Sequence, residues 1–118
     1  MKKLLYTVIL AAIITFSFSC KKSGIASNVP SCIRKGIKTE IDNPHSTVGT
    51  VNEYLFQGRL VYGFDNNAGG MADGDMEIKD GNCNTVCRVG GFGGPSVNMC
   101  NGENFFQAAV LKRNIWTR

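Results

Sequence analysis

The chain has 118 residues, 43% of them hydrophobic, with 13 Lys and Arg against 9 Asp and Glu for a formal charge of +4. Setting aside Lys2 and Lys3 at the extreme N-terminus takes that charge from +4 to +2, and the remaining basic residues are scattered, with no aromatic-interleaved stripe. This distribution excludes a nucleic-acid-binding signature.

Met1-Lys2-Lys3 followed by the charge-free run Leu4–Phe18 reads as the n- and h-regions of a secretory signal peptide over residues 1–19. The run stops at Lys21-Lys22, short of the roughly 20 apolar residues that a membrane span needs. It ends in Ser17-Phe18-Ser19-Cys20, a small residue followed by cysteine, which resembles a lipoprotein processing site. Cys20 would then be acylated through its sulfur and become the new N-terminus, and residues 20–28, small and polar, would be the lipid-anchored tether. Residues 29–118 are enough for one small domain whose margin of stability is thin. These ends place the protein in the cell envelope of a bacterium, held by lipid to the periplasmic side of the outer membrane.

Four cysteines remain after Cys20, namely Cys32, Cys83, Cys87 and Cys100. An even number in an exported small domain implies two disulfides, for which three pairings can be drawn. Cys83 with Cys87 is disfavoured in an extended segment, where four residues put the α-carbons about 13 Å apart against a disulfide limit near 7 Å. The favoured set is Cys87–Cys100, closing a Gly-rich loop, with Cys32–Cys83 tying the first helix to the sheet.

Pro30 marks a helix start, with Ser27 or Asn28 as the capping residue, and Ile33, Ile37 and Ile41 recur every four residues as one apolar face. Asn43-Pro44 ends that helix, because the residue before proline is pushed out of the α region. Val51–Phe56 and Leu60–Phe64, separated by Gln57-Gly58, read as a hairpin in which Leu55 faces Leu60 and Tyr54 faces Val61. Both faces of that ribbon carry apolar groups, so the helix covers one and other chain partly covers the second. Met76–Lys79 and Thr85–Val89 are the next strands. Gly90–Pro95 is too glycine-rich for a regular element. Phe105–Val110 reads as a short helix and Asn114–Thr117 as a closing strand, with Ala108–Leu111 as a competing extension of that strand. The architecture expected is α+β, an N-terminal helix packed on a small antiparallel sheet of 4–5 strands, stapled by disulfides.

In order and spacing, Pro30-Ser31-Cys32-Ile33, Tyr54-Leu55-Phe56-Gln57-Gly58, Val61-Tyr62, Asp80, Cys87, Gly90-Gly91, Cys100, Phe105 and Ile115-Trp116 resemble a family of small Bacteroidetes lipoproteins classified as a domain of unknown function. The resemblance covers most of residues 30–116. That family's pattern places a Cys-Cys-Asp triplet after the hairpin, where this chain reads Met71-Ala72-Asp73, and Cys83 is extra. The resemblance implies location and fold, leaves the disulfide pairing open, and carries no activity with it.

Candidate chemistry is thin. Asp73, Asp75, Glu77 and Asp80 supply hard oxygen ligands of the kind calcium takes, but an EF-hand starting at Asp73 would lack its sixth-position glycine, and alternate strand residues make a solvated acidic edge. Cys83, Cys87, Cys100 and His45 have zinc-ligand chemistry, which would need reduced thiolates in an oxidising compartment. His45, the single histidine, lies in a Pro-His-Ser loop with no nucleophile motif beside it. The Gly90–Gly94 stretch lacks the Lys-Ser/Thr and helix start of a phosphate loop. Phe92 at its tip is either an interaction anchor or, the reading preferred on sequence, a side chain folded back on the sheet. The functional expectation is a non-catalytic binding or inhibitor-like module without cofactor or resident metal. Its partners would be the membrane, through the lipid, and an envelope protein or glycan. The alternative is a calcium-dependent envelope enzyme or accessory subunit.

Overall fold

The structure, a computed structural model, describes residues 24–68 and 74–118. The expected signal peptide, Cys20 and the Met71-Ala72-Asp73 stretch therefore lie outside the described residues.

Helix α1 (Ser31–Asp42) precedes strands β1 (Thr50–Phe56), β2 (Arg59–Asp65), β3 (Asp75–Lys79) and β4 (Thr85–Gly90). A 3-10 turn (Gly94–Asn98), a two-residue hairpin of β5 (Met99–Cys100) and β6 (Glu103–Asn104), the short helix α2 (Phe105–Ala108) and β7 (Val110–Thr117) complete the chain. Five strands form one antiparallel sheet in the order β4-β3-β2-β1-β7. This is the α+β architecture expected from the residue pattern.

The β1–β2 register pairs Leu55 with Leu60 and Tyr54 with Val61. Gln57 (φ 50°) and Gly58 (φ 77°) are both left-handed, as a two-residue turn that matches strand twist requires. Because side chains alternate across a strand, β1 and β2 send apolar groups to both faces, and two separate cores result. On the first face Ile33 and Ile37 of α1 meet Val48, Val51, Tyr62, Phe64, Ile115 and Trp116. On the second, Phe56, Val61, Met76, Ile78 and Val89 meet Cys100 and Phe105 from the β5–β6–α2 segment. The Phe105 ring centroid lies 5.1 Å from those of Tyr54 and Phe56. The two hairpin tips lock together through side-chain amides, Asn101 Nδ2 donating to Gln57 Oε1 at 2.7 Å and Gln57 Nε2 to the Asn101 carbonyl at 3.1 Å.

Several local expectations change. Ile41 is 39% exposed, so the buried part of the apolar stripe ends at Ile37. Pro30 itself occupies the N-cap position and no side chain caps α1; the carbonyls of Ser27 and Asn28 are instead bound by the Arg113 guanidinium. Gly24–Asn28, assigned on composition to the tether, lie against the domain, with Ile25, Ala26 and Val29 packed on the first core. Gly94–Asn98 forms a 3-10 turn inside what read as an irregular stretch. The closing strand begins at Val110, so the short helix ends at Ala108.

Candidate functional site

Two disulfides are present, Cys32–Cys83 with α-carbons 5.9 Å apart and Cys87–Cys100 with α-carbons 5.5 Å apart. The first joins α1 to the turn between β3 and β4. The second joins edge strand β4 to β5 and so closes the segment between them, 13 residues in sequence separation. With all four sulfurs bonded to one another, no thiolate set exists for zinc, and His45 sits in a different turn, its N–H donating to Asn43 Oδ1.

Within the closed segment the backbone turns at Gly90 (φ 86°), Gly91 (φ 82°) and Gly93 (φ 145°), a left-handed series that residues with a Cβ rarely adopt. The Gly90 N–H donates to Asn98 Oδ1 at 3.1 Å, fastening the loop across its neck inside the disulfide. Phe92 lies between these glycines and is 82% exposed, the highest value among the large hydrophobic residues described. The sequence preference for a folded-back Phe92 is therefore corrected. The second core is already filled by Phe56, Phe105 and their neighbours, and the loop points its aromatic side chain into solvent.

The acidic strand is organised differently from either a metal site or a bare solvated edge. Asp75 Oδ2 accepts from Arg88 Nη1 at 2.8 Å, and its Oδ1 accepts from Asn66 Nδ2 at 2.8 Å. Glu77 Oε2 lies 3.4 Å from Arg88 Nη2 and accepts from the Thr85 hydroxyl at 2.8 Å. Hydrogen bonds from Arg88 and then Asn66 hold the Asp75 carboxyl below its ordinary range. Burial, and next the negative charge of Asp75, push Asp65 the other way. Asp80 is a turn residue: its carboxylate accepts from the Asn82 and Asn84 N–H groups, each at 2.9 Å, and from Asn84 Nδ2. The Asn84 N–H leads in lowering its pKa. Asp73 lies outside the described residues. Among the described residues, no three His, Cys, Asp or Glu side chains group to hold a metal.

A polar cleft of about 300 Å³ lies between the end of α1 and the β3–β4 edge, lined among others by Glu40, His45, Ser46, Glu77 and Arg88. Ser46 donates to Glu40, and Arg88 is spoken for by the two carboxylates.

The family described as Domain of unknown function (DUF6970) matches residues 37–118, which is more than half of the sequence. The chain belongs to the DUF6970 family. The matched region of this DUF6970 domain starts within α1 and takes in all seven strands, both cysteines of the loop disulfide, and Cys83, whereas Cys32 and the Gly24–Val29 segment lie upstream of it. No match is found among curated proteins or among solved structures.

Sequence reasoning passed over Glu53 and Arg113. Glu53 is 6% exposed on the first face of β1, and Arg113 forks onto it, Nε to Oε1 at 3.2 Å and Nη2 to Oε2 at 3.3 Å. The signal was available: Val51, Glu53 and Leu55 share one face, and a carboxylate at an inward position requires a partner. In the DUF6970 domain that partner also reaches the N-terminal segment.

Proposed function

We propose that this DUF6970 domain is a lipid-anchored, non-catalytic binding module of the bacterial cell envelope, with Cys20 as the acylated residue and the Phe92 loop as its contact surface. The observation that carries this reading is an aromatic side chain 82% exposed on a loop closed by Cys87–Cys100 and by the Gly90–Asn98 hydrogen bond. Covering a phenylalanine side chain is worth about 1.5–3 kcal/mol, and a loop already held in shape loses little further entropy when a partner covers it. The partner is an envelope protein or glycan with a recess that takes one aromatic ring. Engagement of Asp75 and Glu77 by Arg88 favours this reading over a calcium-dependent enzyme, since those carboxylates already serve a structural ion pair.

Lipidation rests on the charge-free run ending at Ser19-Cys20. Among the described residues, no helix is long and apolar enough to cross a membrane.

The test places a photo-cross-linking phenylalanine analogue at position 92 of the full chain in its host, and separately at Phe106, another exposed aromatic (56%). A discrete adduct from position 92 that position 106 does not give is the expected result. The same adduct from both, or none from 92, refutes the loop as the contact. Mass spectrometry of the recovered protein checks for cleavage before Cys20 and added acyl mass.

A further inference from the structure

Turn geometry decides which backbone groups of β7 face out of the sheet. The residues flanking a two-residue turn exchange both N–H···O=C bonds, so Phe56 pairs in this way with Arg59, and bonded and open pairs alternate from there. Tyr54 and Phe56 therefore direct their backbone groups to β2, and Leu55 and Glu53 direct theirs to β7. In the β1–β7 register Leu55 meets Val110, Tyr54 meets Leu111 and Glu53 meets Arg113, with Lys112 as a bulge. Leu111 thus stands opposite a residue that bonds elsewhere, and its N–H and C=O point away from the sheet.

Further along, the same outer edge is occupied. The Ile115 carbonyl accepts from the Ala26 N–H at 2.9 Å, and Arg113 reaches the carbonyls of Ser27 at 2.7 Å and Asn28 at 3.0 Å. Among the described residues, the stretch left open is Val110–Lys112. Val110 is 56% and Leu111 60% exposed, and they lie on opposite faces of the strand. Bulges and lysines are the usual guards of a sheet edge, but Lys112 guards only one end of this stretch. Leu55, half-exposed, lies beside Val110, and Phe106 reaches the Leu111 side through Phe105, whose ring centroid is 5.7 Å from its own.

We propose that β7 pairs antiparallel with β7 of a second copy of this chain, about a two-fold axis at Leu111. Three open residues with the outward-facing one at the centre are self-complementary. Each Leu111 N–H donates to the other copy's Leu111 carbonyl. Val110 of each copy faces Lys112 of the other, so no like charges meet, and the lysine stem lies over the valine. Leu55, Val110, Leu111 and Phe106 leave about 400 Å² of apolar surface here, at about 200 Å² for a whole large side chain. With the roughly 65% apolar share of a homodimer contact, that is about 600 Å² per copy and about 1,200 Å² in all, the low end of specific interfaces. The dimer is then reversible. Its two sheets join into one, whose free edges are the two β4 strands, about 43 Å apart by strand spacing. Both Phe92 loops stay open.

This pairing uses neither the Cys20 nor the Phe92 reading and is tested apart from them. Leu111→Cys is introduced into the full chain and oxidised mildly in intact host cells. A disulfide-linked homodimer through position 111 is expected, since α-carbons of a bonded antiparallel pair about 5.5 Å apart lie within disulfide reach. Thr117→Cys, whose two copies would stand about 40 Å apart, gives the collisional background. Two charges are then added separately to Leu111→Cys. Val110→Glu, facing Lys112 of the other copy, should yield about five-fold more dimer than Val110→Lys, which sets like charges opposite each other. Because Val110 is exposed, these two variants are each other's folding control. Equal yields from positions 111 and 117 overturn the pairing. The same response to both charges overturns the two-fold register and the proposal with it. A disulfide from position 111 to a different protein does so as well, by placing another chain on this edge.

Discussion

Ile37→Ala and Ile41→Ala form the most direct test of the first core. Both residues lie on α1 one turn apart, both lose the same three carbons, and both gain the same few tenths of a kcal/mol in helix propensity. Their surroundings differ. Ile37 is fully buried against the sheet, whereas Ile41 is 39% exposed. At about 0.8 kcal/mol per buried CH₂, the transfer loss at Ile37 is about 2.4 kcal/mol, and the cavity left in a site that cannot fill with water raises it to about 3–4. At Ile41 the partial burial and the access of solvent bring the loss to about 1 kcal/mol. The difference of about 2 kcal/mol corresponds to about 8–16 °C in Tm for a domain of this size. Urea denaturation of the disulfide-intact protein, reading both midpoint and slope, measures it. Equal losses within about 0.5 kcal/mol would refute the assignment of Ile37 to the core and Ile41 to the rim.

Asp65→Asn should stabilise the fold at neutral pH by less than about 1 kcal/mol, solvent screening the exposed side of the carboxylate. Its folded-state pKa is raised, chiefly by burial and then by Asp75, so the stability this group allows is present in acid and is lost as pH rises through the raised value. The advantage of the variant should vanish below the ordinary aspartate range; a constant advantage across pH contradicts the cause given. Glu53→Ala should cost about 2 kcal/mol: breaking a buried pair costs 3–5, and Arg113 is open enough to recover part of it from water. Glu53→Gln should restore some of that loss, as read from thermal midpoints, and a loss under about 0.5 kcal/mol would reduce the pair to a surface contact.

Local chemistry explains which parts of the fold were legible. The β1–β2 register follows from Gln57-Gly58 as a two-residue turn, because turn length alone decides which residues face each other. The same logic was available for Asn101-Gly102, whose left-handed pair (φ 50° and 85°) makes the β5–β6 hairpin, but two-residue strands leave no alternating pattern to find. Ile41 obeys the helical period and still lies outside the core, since periodicity defines a face of α1 and says nothing about where the sheet beneath it ends. Gly24–Asn28 resembled a tether in composition. Ile25, Ala26 and Val29 find their places only because β7, more than 80 residues later, brings Arg113 and Ile115 to meet them. Phe92 is the same case inverted: its exposure follows from Phe56 and Phe105 having filled the second core, a tertiary outcome with no local signature. The acidic strand misled because pairing with Arg88 depends on the β3–β4 register, which sets Glu77 opposite Arg88.

The two disulfides serve different faces of the sheet, and their removal should separate stability from function. Cys32–Cys83 closes a separation of 51 residues and Cys87–Cys100 one of 13. Chain entropy assigns about 4 kcal/mol to the first and about 3 to the second. Cys100 is fully buried in the second core, so losing its sulfur adds a cavity cost that narrows the difference. Denaturation midpoints of the two double-alanine variants should therefore fall by similar amounts. Their loops should not behave alike. Without Cys32–Cys83 the first core still holds α1 to the sheet through Ile33 and Ile37, and the Phe92 loop, on the far edge, keeps its closure. Without Cys87–Cys100 the side-chain tie left across the neck among the described residues is the Gly90–Asn98 hydrogen bond, worth about 1 kcal/mol. Below the unfolding midpoint, then, the Cys32→Ala/Cys83→Ala form should keep the position-92 adduct and the Cys87→Ala/Cys100→Ala form should lose most of it. The reverse pattern, with both forms shown to be folded, would mean that the loop does not owe its shape to its own disulfide, and preorganisation could no longer be the reason for displaying Phe92.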